Sequence, residues 1–454
     1  MTDGGRPAAS GSPALLRALG LWDSVSLILG IMIGSGIFLM AGSIALQLDS
    51  LPAVLAAWVV GGLLSLAGAV ALSELGAALP SAGGLYVYLA RAWGPGVGFV
   101  YGWSAMALIH AGGLAALAAG LGLYLGPLLG LSPGGTKLLQ LGVIALFALV
   151  NSLGVVVGKW VQNALTALKV LGLAVMTAAL WASGSADTLL RAWSRPSGGF
   201  SWAAFGLALV AVLWAYDGWH FVSFAAGEVR DPSRTIPASL LVGTAATCAI
   251  YLLVNGSYYA VLAPEAIRGS ERVAAAAVGA ALGPGASLAL SLLISISILG
   301  AINGILLGAS RVILAMARDG LFFPALGSVS ARFRTPVLAT VVQAALAAAF
   351  TLVGTFRQLF TSYVFTAWIF YGLAVAGVVV LRRREPDLPR PYRCPWYPLP
   401  VVFFLLATAG IVVATFVASF RQAALGVALI LAGVPIWLAF RARERRRARG
   451  AGAR

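Results

Sequence analysis

Apolar residues form long runs along most of the chain, and polar residues gather in short segments between the runs. A helix that crosses the hydrocarbon core of a bilayer needs roughly 20 mainly apolar residues, so each run predicts a membrane-spanning helix. The runs predict twelve spans, at residues 21–46, 51–73, 96–126, 138–156, 163–183, 203–226, 237–262, 284–311, 336–354, 358–381, 398–418 and 422–440. The pattern therefore predicts an all-α integral membrane fold with short loops.

Composition agrees with a membrane setting. Of the 454 residues, 60% are hydrophobic and 10% are charged, whereas soluble proteins carry about 25% charged residues. The mean hydropathy is +0.95. The net charge of +16 is of the kind seen in nucleic-acid-binding proteins. However, the arginine runs at 382–384 and 445–447 directly follow apolar stretches, which is typical of membrane topology, so we expect no nucleic-acid partner.

The distribution of basic residues predicts the orientation. With the N-terminus in the cytosol, 22 of the 30 Lys and Arg residues fall on the cytosolic side, 7 fall outside, and Lys169 lies within a span. Cytosolic loops are enriched in Lys and Arg. We therefore expect a protein of the inner cell membrane with two cytosolic tails, residues 1–20 and the basic residues 441–454. The first tail has no apolar core of a secretory signal.

Cysteine and histidine give no sign of a metal or redox site. Cys248 lies in an apolar run and Cys394 in a basic loop, so they are not expected to form a disulfide. His110 and His220 do not have the spacing of a metal-ligand cluster. Neither a nucleophile–base pair nor a metal motif is apparent, which argues against an intramembrane enzyme. No cofactor is expected.

Two predicted spans are interrupted near their middle. The first contains Gly34-Ser35-Gly36 and the sixth contains Asp217-Gly218. Unwound backbone at membrane depth is tolerated where it lines a cavity or is buried in protein. Exposed N–H groups attract a carboxylate and exposed carbonyls attract an ammonium group, and an amino acid carries both. Paired breaks of this kind point to a transporter site; the alternative is packing of small residues between helices.

Several motifs resemble those of the amino acid–polyamine–organocation superfamily, and within it those of the L-amino acid transporter family. They occur in order across most of the chain, so the resemblance is specific. The matching stretches are Gly34-Ser35-Gly36-Ile37-Phe38, residues 73–88, residues 228–237, residues 310–320 and residues 371–393.

The resemblance implies a five-plus-five inverted repeat, with residues 21–183 and 203–381 as the two halves and residues 398–440 as two appended helices. It also implies alternating access around a site for L-amino acids at mid-membrane depth. The substrate-binding positions that it implies are Ile31, Ile33, Gly34, Ser35, Gly36, Ile37, Trp214, Ala215, Tyr216, Asp217 and Gly218.

Within that set the resemblance gives different roles to different groups. Gly34, Ser35 and Gly36 would hold the substrate carboxylate, and carbonyl groups around residues 31, 33, 214 and 215 would hold its amine. Trp214 matches an aromatic residue that caps the bound substrate. The external loop at residues 128–137 contains no cysteine, so no disulfide to a heavy-chain partner is expected.

Lys159 marks the inner end of the fifth helix, and Lys169 lies ten residues further along the chain. Ten residues span roughly 15 Å along a helix, so Lys169 is expected near mid-membrane depth. A lysine at such depth is a functional candidate. We hypothesise that its ammonium group replaces the sodium ion of sodium-coupled relatives and carries a coupled proton. The alternative is a side chain that snorkels to the surface.

Four other polar positions leave alternatives open. Asp217 either contacts a cationic group of the substrate or caps the second half of its helix. Glu74 belongs either to an inner gate or to a surface ion pair. Asn303 either faces the site that Lys169 serves or makes a packing hydrogen bond. Glu228 is interpreted, with its charged neighbours at residues 230–234, as part of loop ion pairs.

The sequence as a whole predicts a secondary active transporter of amino acids. Sodium-independent exchange and proton-coupled uptake both agree with the pattern, and so do small neutral, large neutral and cationic substrates. The alternative from another class is a receptor that binds an amino acid on a permease fold without moving it.

Overall fold

The computed structural model describes residues 13–195, 199, 201–270, 272–353 and 356–451, and these residues are almost entirely helical. In this part of the chain the β-structure is limited to one bridge, between Leu19 and Val229. The α-helices are α1 (Leu21–Met32), α2 (Gly36–Gln47), α3 (Leu51–Ala78), α4 (Leu85–Trp93), α5 (Pro95–Ser104), α6 (Ala111–Leu128), α7 (Pro133–Ser152), α8 (Val155–Ser183), α9 (Ala186–Ser194), α10 (Trp202–Tyr216), α11 (Pro232–Val261), α12 (Pro264–Arg268), α13 (Val273–Leu282), α14 (Ala286–Arg318), α15 (Val337–Val353), α16 (Phe356–Arg384), α17 (Leu399–Ala418) and α18 (Phe420–Ala451).

Within these residues, ten helices are long and apolar enough to cross a membrane, and the bent pair α1 and α2 makes an eleventh span. The chain is therefore a multi-pass membrane protein. The predicted ninth span, 336–354, corresponds to the 17-residue helix α15, at the short end of the spanning range, and residue 354 lies outside the described residues. The count of twelve stays a prediction.

The boundary between the fourth and fifth predicted spans is wrong. The predicted spans 138–156 and 163–183 leave a gap at residues 157–162, but α7 ends at Ser152 and α8 begins at Val155. Gly154 adopts a φ of +122° at this turn, which few other residues tolerate. The helix α8 therefore begins earlier than predicted and includes Lys159, which contacts Asp23 of α1, as does Asn163.

Two further helix boundaries differ from the prediction. The sixth predicted span, 203–226, ends as an α-helix at Tyr216, and a 3₁₀-helix, Phe221–Glu228, continues it. At the end of the chain, α18 continues to Ala451, so most of the predicted C-terminal tail extends the last helix. The third span agrees closely, although a π-helical segment, Ala105–His110, separates α5 from α6.

The two halves of the bent first span lie at the centre of the molecule. α1 packs against α8, α11 and α14, and α2 packs against α10. Apolar side chains of α7, α8, α17 and α18, such as Leu146, Leu171 and Val413, point outward. These helices therefore present the surface that contacts lipid.

A segment before α1 lies across one end of the bundle. The backbone N–H groups of Ala18 and Leu19 donate to the carbonyl of Glu228. Lys159 donates to the carbonyl of Ala18 at 3.0 Å, and Arg334 donates to that of Ala14 at 2.8 Å. The end of the 3₁₀-helix, the start of α8 and the loop before α15 thus all hold this segment.

Candidate functional site

The first break lies between α1 and α2, whose axes differ by 43°. Residues 33–35 form the bend. A Cβ atom on Gly36 would lie 2.6 Å from the Cα atom of Ala215, which is closer than two carbon atoms can approach without contact strain. The absence of a side chain at Gly36 therefore allows α2 and α10 to touch at the level of the break.

The second break follows Tyr216, where residues 217–220 turn before the 3₁₀-helix begins. Gly218 has a φ of +116°, and a Cβ atom there would lie 2.6 Å from Cγ2 of Ile31. The turn requires glycine both for its backbone conformation and for its close approach to α1. The two breaks consequently face each other.

A cavity lies between the breaks. It has a volume of about 30 Å³, which holds one or two water molecules. The lining residues are Ile31, Met32, Gly34, Ser35, Gly36, Gly113, Leu117, Trp214, Asp217, Ile305 and Tyr363. Six of the predicted substrate-binding positions are among them: residues 31, 34, 35, 36, 214 and 217.

The other five predicted positions, residues 33, 37, 215, 216 and 218, do not line the cavity. Ile33 and Ile37 are fully buried behind the bend. The carbonyl of Ile33 accepts hydrogen bonds from Lys169 and Ser297 at 2.8 and 2.6 Å, so both of its lone pairs are occupied. The carbonyl of Ala215 accepts from the Tyr251 hydroxyl at 2.8 Å.

Sequence reasoning missed the cavity residues of three neighbouring helices. These residues are Gly113 and Leu117 of α6, Ile305 of α14 and Tyr363 of α16. The ring of Tyr363 lies 5.0 Å from that of Trp214, edge to face. The apolar runs that contain these residues do not indicate which side faces inward, because nearly every position in them is apolar.

Lys169 is fully buried and binds the backbone of the first break. Its ammonium group donates to the carbonyls of Gly30, Ile33 and Ser297 at 2.7, 2.8 and 2.8 Å. The alternative of a side chain that snorkels to the surface is wrong, because the ammonium group uses all three of its donors inside the protein. Three carbonyl oxygens around a single positive charge also resemble the environment of a bound metal cation.

Asn303 does not contact Lys169. Its amide donates to Gln162 at 2.8 Å and to the carbonyl of Gly158 at 3.1 Å, and it accepts from Asn151 at 2.9 Å. It therefore connects α14 to α7 and α8, as in the alternative of a packing hydrogen bond.

Asp217 lines the cavity and follows the last residue of α10. Its carboxylate accepts a hydrogen bond from the Tyr371 hydroxyl at 2.9 Å. The residue that precedes the 3₁₀-helix is His220, which makes no capping bond through its side chain. The 3₁₀-helix thus begins four residues after Asp217, and both interpretations of Asp217 stay predictions.

Glu74 forms a buried ion-pair cluster rather than a surface pair. Its carboxylate binds Arg382 at 2.5 and 2.9 Å, Arg390 at 3.2 Å and the N–H group of Cys394 at 2.8 Å. Burial and the charge of Glu74 raise the pKa of the Cys394 thiol to about 11. The cluster fastens α3 to the end of α16 and to the following loop.

The interpretation of Glu228 as a loop ion pair is wrong. Its carboxylate makes two hydrogen bonds, of 2.8 and 2.9 Å, to the Arg311 guanidinium of α14, and both side chains are essentially inaccessible. Among its charged neighbours, Asp231 and Arg234 form an exposed pair at 4.0 Å. The partner of Glu228 lies 83 residues away along the chain, so local sequence gives no indication of it.

Comparison with known proteins identifies the family of the chain. The amino acid permease family matches residues 19–440. The b(0,+)-type amino acid transporter 1 of Homo sapiens is 31% identical over 87% of this chain and 82% of its own length. The serine/threonine exchanger SteT of Bacillus subtilis is 30% identical over 95% of this chain and 98% of its own length. The cystine/glutamate transporter of Homo sapiens is 28% identical over 94% and 85%, respectively.

The chain belongs to the amino acid permease family, within the superfamily that its motifs indicate. It is thus a transporter of amino acids and not an enzyme.

Proposed function

We propose that the protein exchanges L-amino acids across the cell membrane by alternating access, independently of sodium. The observation that carries the proposal is the cavity to which both breaks contribute, with Gly34, Ser35 and Gly36 on one side and Trp214 and Asp217 on the other. The N–H groups at the start of α2 are suited to the substrate carboxylate. The carboxylate of Asp217 and the carbonyls near residues 31 and 214 are suited to its amine.

The architecture that we propose is a twelve-span fold of two inverted halves, residues 21–183 and 203–381, with both termini in the cytosol. The opposed breaks support it, because in such transporters the first span of each half is the discontinuous one. α15 would serve as the ninth span, with a tilt or local thinning of the bilayer accommodating its 17 residues.

Lys169 would take the place of a sodium ion. Its three bonds to backbone carbonyls support this role, since they join α8 to both α1 and α14 next to the break. A fixed ammonium group removes the need for a bound cation to complete the site.

Binding requires a conformational change, because the cavity holds only one or two water molecules. Trp214 and Tyr363 are the largest side chains that line it, and their rings are in contact. We propose that they separate to admit the substrate and close over it afterwards.

Counterflow into proteoliposomes tests the function. Vesicles loaded with unlabelled serine, threonine, leucine or arginine should accumulate the labelled amino acid, and empty vesicles should not. Replacement of sodium by choline should leave the rate unchanged. Uptake into empty vesicles driven by a proton gradient would instead establish a proton symporter, and binding without any uptake would establish a receptor.

The same experiment tests whether the chain acts alone. The cysteine-free external loop at residues 128–137 supports a transporter without a disulfide-linked partner. Exchange by the single purified chain is the expected outcome, and a requirement for a second protein would overturn this part of the proposal.

A further inference from the structure

The two histidines of the chain lie together beside the second break. His110 is the last residue of the π-helical segment, and π-helical turns within α-helices are frequent at functional sites. His220 ends the turn after Asp217. Each has an exposure of 1%. Both histidines are close in sequence to residues that line the cavity. Gly113 follows His110 by three residues, and Asp217 precedes His220 by three residues.

Two phenylalanines of the 3₁₀-helix, Phe221 and Phe224, contact the rings of both histidines. Phe221 lies 5.5 Å from His110 and 5.0 Å from His220, and Phe224 lies 5.4 Å from each. A Cβ atom on Gly308 would lie 2.9 Å from Phe221, and one on Gly84 would lie 2.6 Å from Phe224. We call Phe221 and Phe224 the aromatic plug. The 3₁₀-helix that carries it follows the turn at Asp217, beside the cavity, and ends at Glu228, whose carbonyl holds the N-terminal segment.

Most of the imidazole nitrogens have no hydrogen-bond partner in the described part of the chain. Within those residues, Nδ1 and Nε2 of His110 and Nδ1 of His220 make no hydrogen bond. A neutral imidazole carries one N–H donor and one acceptor, and burial without partners is unfavourable for both. Such groups gain most when water reaches them, so movement of the plug would relieve an unfavourable arrangement.

The charged and titratable groups around the pair do not neutralise a positive imidazole. The ring of Tyr371 of α16 lies 4.5 Å from that of His220, tilted by 55°, and its hydroxyl donates to Asp217. Tyr101 of α5 is buried close to Asp217, and Tyr88 of α4 is buried next to Ser223 of the 3₁₀-helix. Arg311 of α14 is already paired with Glu228. Among the described residues no carboxylate bonds to either imidazole, so a proton on the pair in this conformation would be an unpaired buried charge.

We propose that His110 and His220 form a proton-binding site that is filled only when the 3₁₀-helix Phe221–Glu228 moves away and water enters. This rests on the proposed exchange function, which supplies the movement. If a proton binds to just one of two conformations, it shifts the population of transporters toward that conformation. Acid on the side to which the plug opens therefore holds the transporter open on that side and slows exchange, by at most about tenfold per pH unit for each proton bound.

Chemical labelling tests the access of water to the pair. The chain contains two histidines, so diethylpyrocarbonate on protein purified with a histidine-free tag gives at most two histidine adducts. Mass spectrometry of the peptides distinguishes them from adducts on lysine, tyrosine and cysteine. Labelling is expected to be slow without substrate and faster during exchange. Complete protection of both residues during rapid exchange would overturn the proposal.

The pH profile of exchange tests the link to function. With the pH of the N-terminal side varied from about 8 to about 5.5, a range in which histidine titrates, wild-type exchange should fall as the pH falls. In His110→Asn/His220→Asn the profile, normalised to the rate of the variant at the highest pH, should be flatter. Asp231→Asn, which removes an exposed carboxylate elsewhere on the surface, should keep the wild-type profile.

Two outcomes separate the two proposals. An unchanged profile in the double variant, with normal wild-type exchange, overturns the proton site alone. Absence of wild-type exchange at every pH overturns the exchange function. If the double variant does not fold, His110→Gln and His220→Gln as single changes, each with partial flattening expected, provide the same test.

Discussion

The Lys169 ammonium group is held by oxygen atoms that carry only partial charge. Its three bonds are to backbone carbonyls, and the described residues include no ion pair of Lys169. The arrangement stabilises the bend after Met32 directly, because two of the three carbonyls belong to residues at or next to the bend. A change at this one side chain therefore affects both the site and the shape of the first span.

Lys169→Ala should reduce exchange at least about tenfold, which corresponds to a loss of about 1.4 kcal/mol. Removal of the ammonium group leaves buried carbonyls without their donor, at about 1–3 kcal/mol for each unsatisfied group. Initial rates of counterflow provide the measurement. Lys159→Ala is the matched control on the same helix, since Lys159 forms a pair with Asp23 at the edge of the bundle. Wild-type exchange by Lys169→Ala would contradict the role that we propose.

Asp217→Asn should reduce exchange of arginine more than exchange of serine. The carboxylate lines the cavity and accepts a hydrogen bond from Tyr371, and we propose that it also contacts a cationic group of the substrate. Competition of each amino acid against labelled serine measures the difference. Tyr371→Phe, which frees the carboxylate and keeps its charge, should retain arginine exchange. An equal loss for both substrates in Asp217→Asn would show that the carboxylate serves the α-amine or the turn instead.

At the residue scale, sequence reasoning identified side chains whose chemistry is unusual for their surroundings. Lys169 was predictable because a lysine at membrane depth is costly. The burial of Glu228 was not, since its partner Arg311 is distant in sequence and arginine is common at helix ends throughout this chain. Tyr363 was not predictable either, as its hydroxyl and ring are ordinary in an apolar helix.

At the scale of helices, close packing of the two breaks depends on glycine. Gly36 allows contact between α2 and α10, and Gly218 allows contact between its turn and α1. The breaks are therefore not independent features, because each occupies space that a side chain at the other would need.

Gly36→Ala should reduce exchange strongly while the protein still inserts in the membrane. The added methyl group would meet the backbone of Ala215 at 2.6 Å, and overpacking of this kind costs about 1–3 kcal/mol. Gly142→Ala in α7 is the control, since nothing lies within 4 Å of its Cβ position, and alanine favours a helix. Exchange rates and the unfolding temperature in detergent would be compared. Equal behaviour of the two variants would show that α2 and α10 separate easily.

The existence of most helices was predictable from hydropathy, because apolar length is a direct requirement of the bilayer. The division at Gly154 was not, because a polar residue such as Lys159 is typical of a loop when its partner Asp23 is unknown. The helix faces that line the cavity were not predictable either. Within an apolar run, hydropathy does not show whether a side chain contacts lipid or another helix.

On the scale of the whole molecule, two buried ion-pair clusters connect segments that are distant along the chain. Glu74 connects α3 to the end of α16, and Glu228 connects the 3₁₀-helix to α14. The backbone carbonyl of Glu228 also holds the N-terminal segment. Loss of either acid should therefore loosen one end of the bundle as a unit.

Glu228→Gln should lower the unfolding temperature in detergent by several degrees. Removal of one partner leaves the Arg311 charge buried and unpaired, at about 3–5 kcal/mol. Asp231→Asn is the control, because its pair with Arg234 is exposed and long and such pairs contribute at most about 1 kcal/mol. Glu228→Met/Arg311→Met separates two explanations. If the charge of Arg311 causes the loss, the double variant should be more stable than Glu228→Gln. If the double variant is equally unstable, the hydrogen bonds of the pair themselves hold the 3₁₀-helix on α14, and the same bonds must break whenever that helix moves during transport.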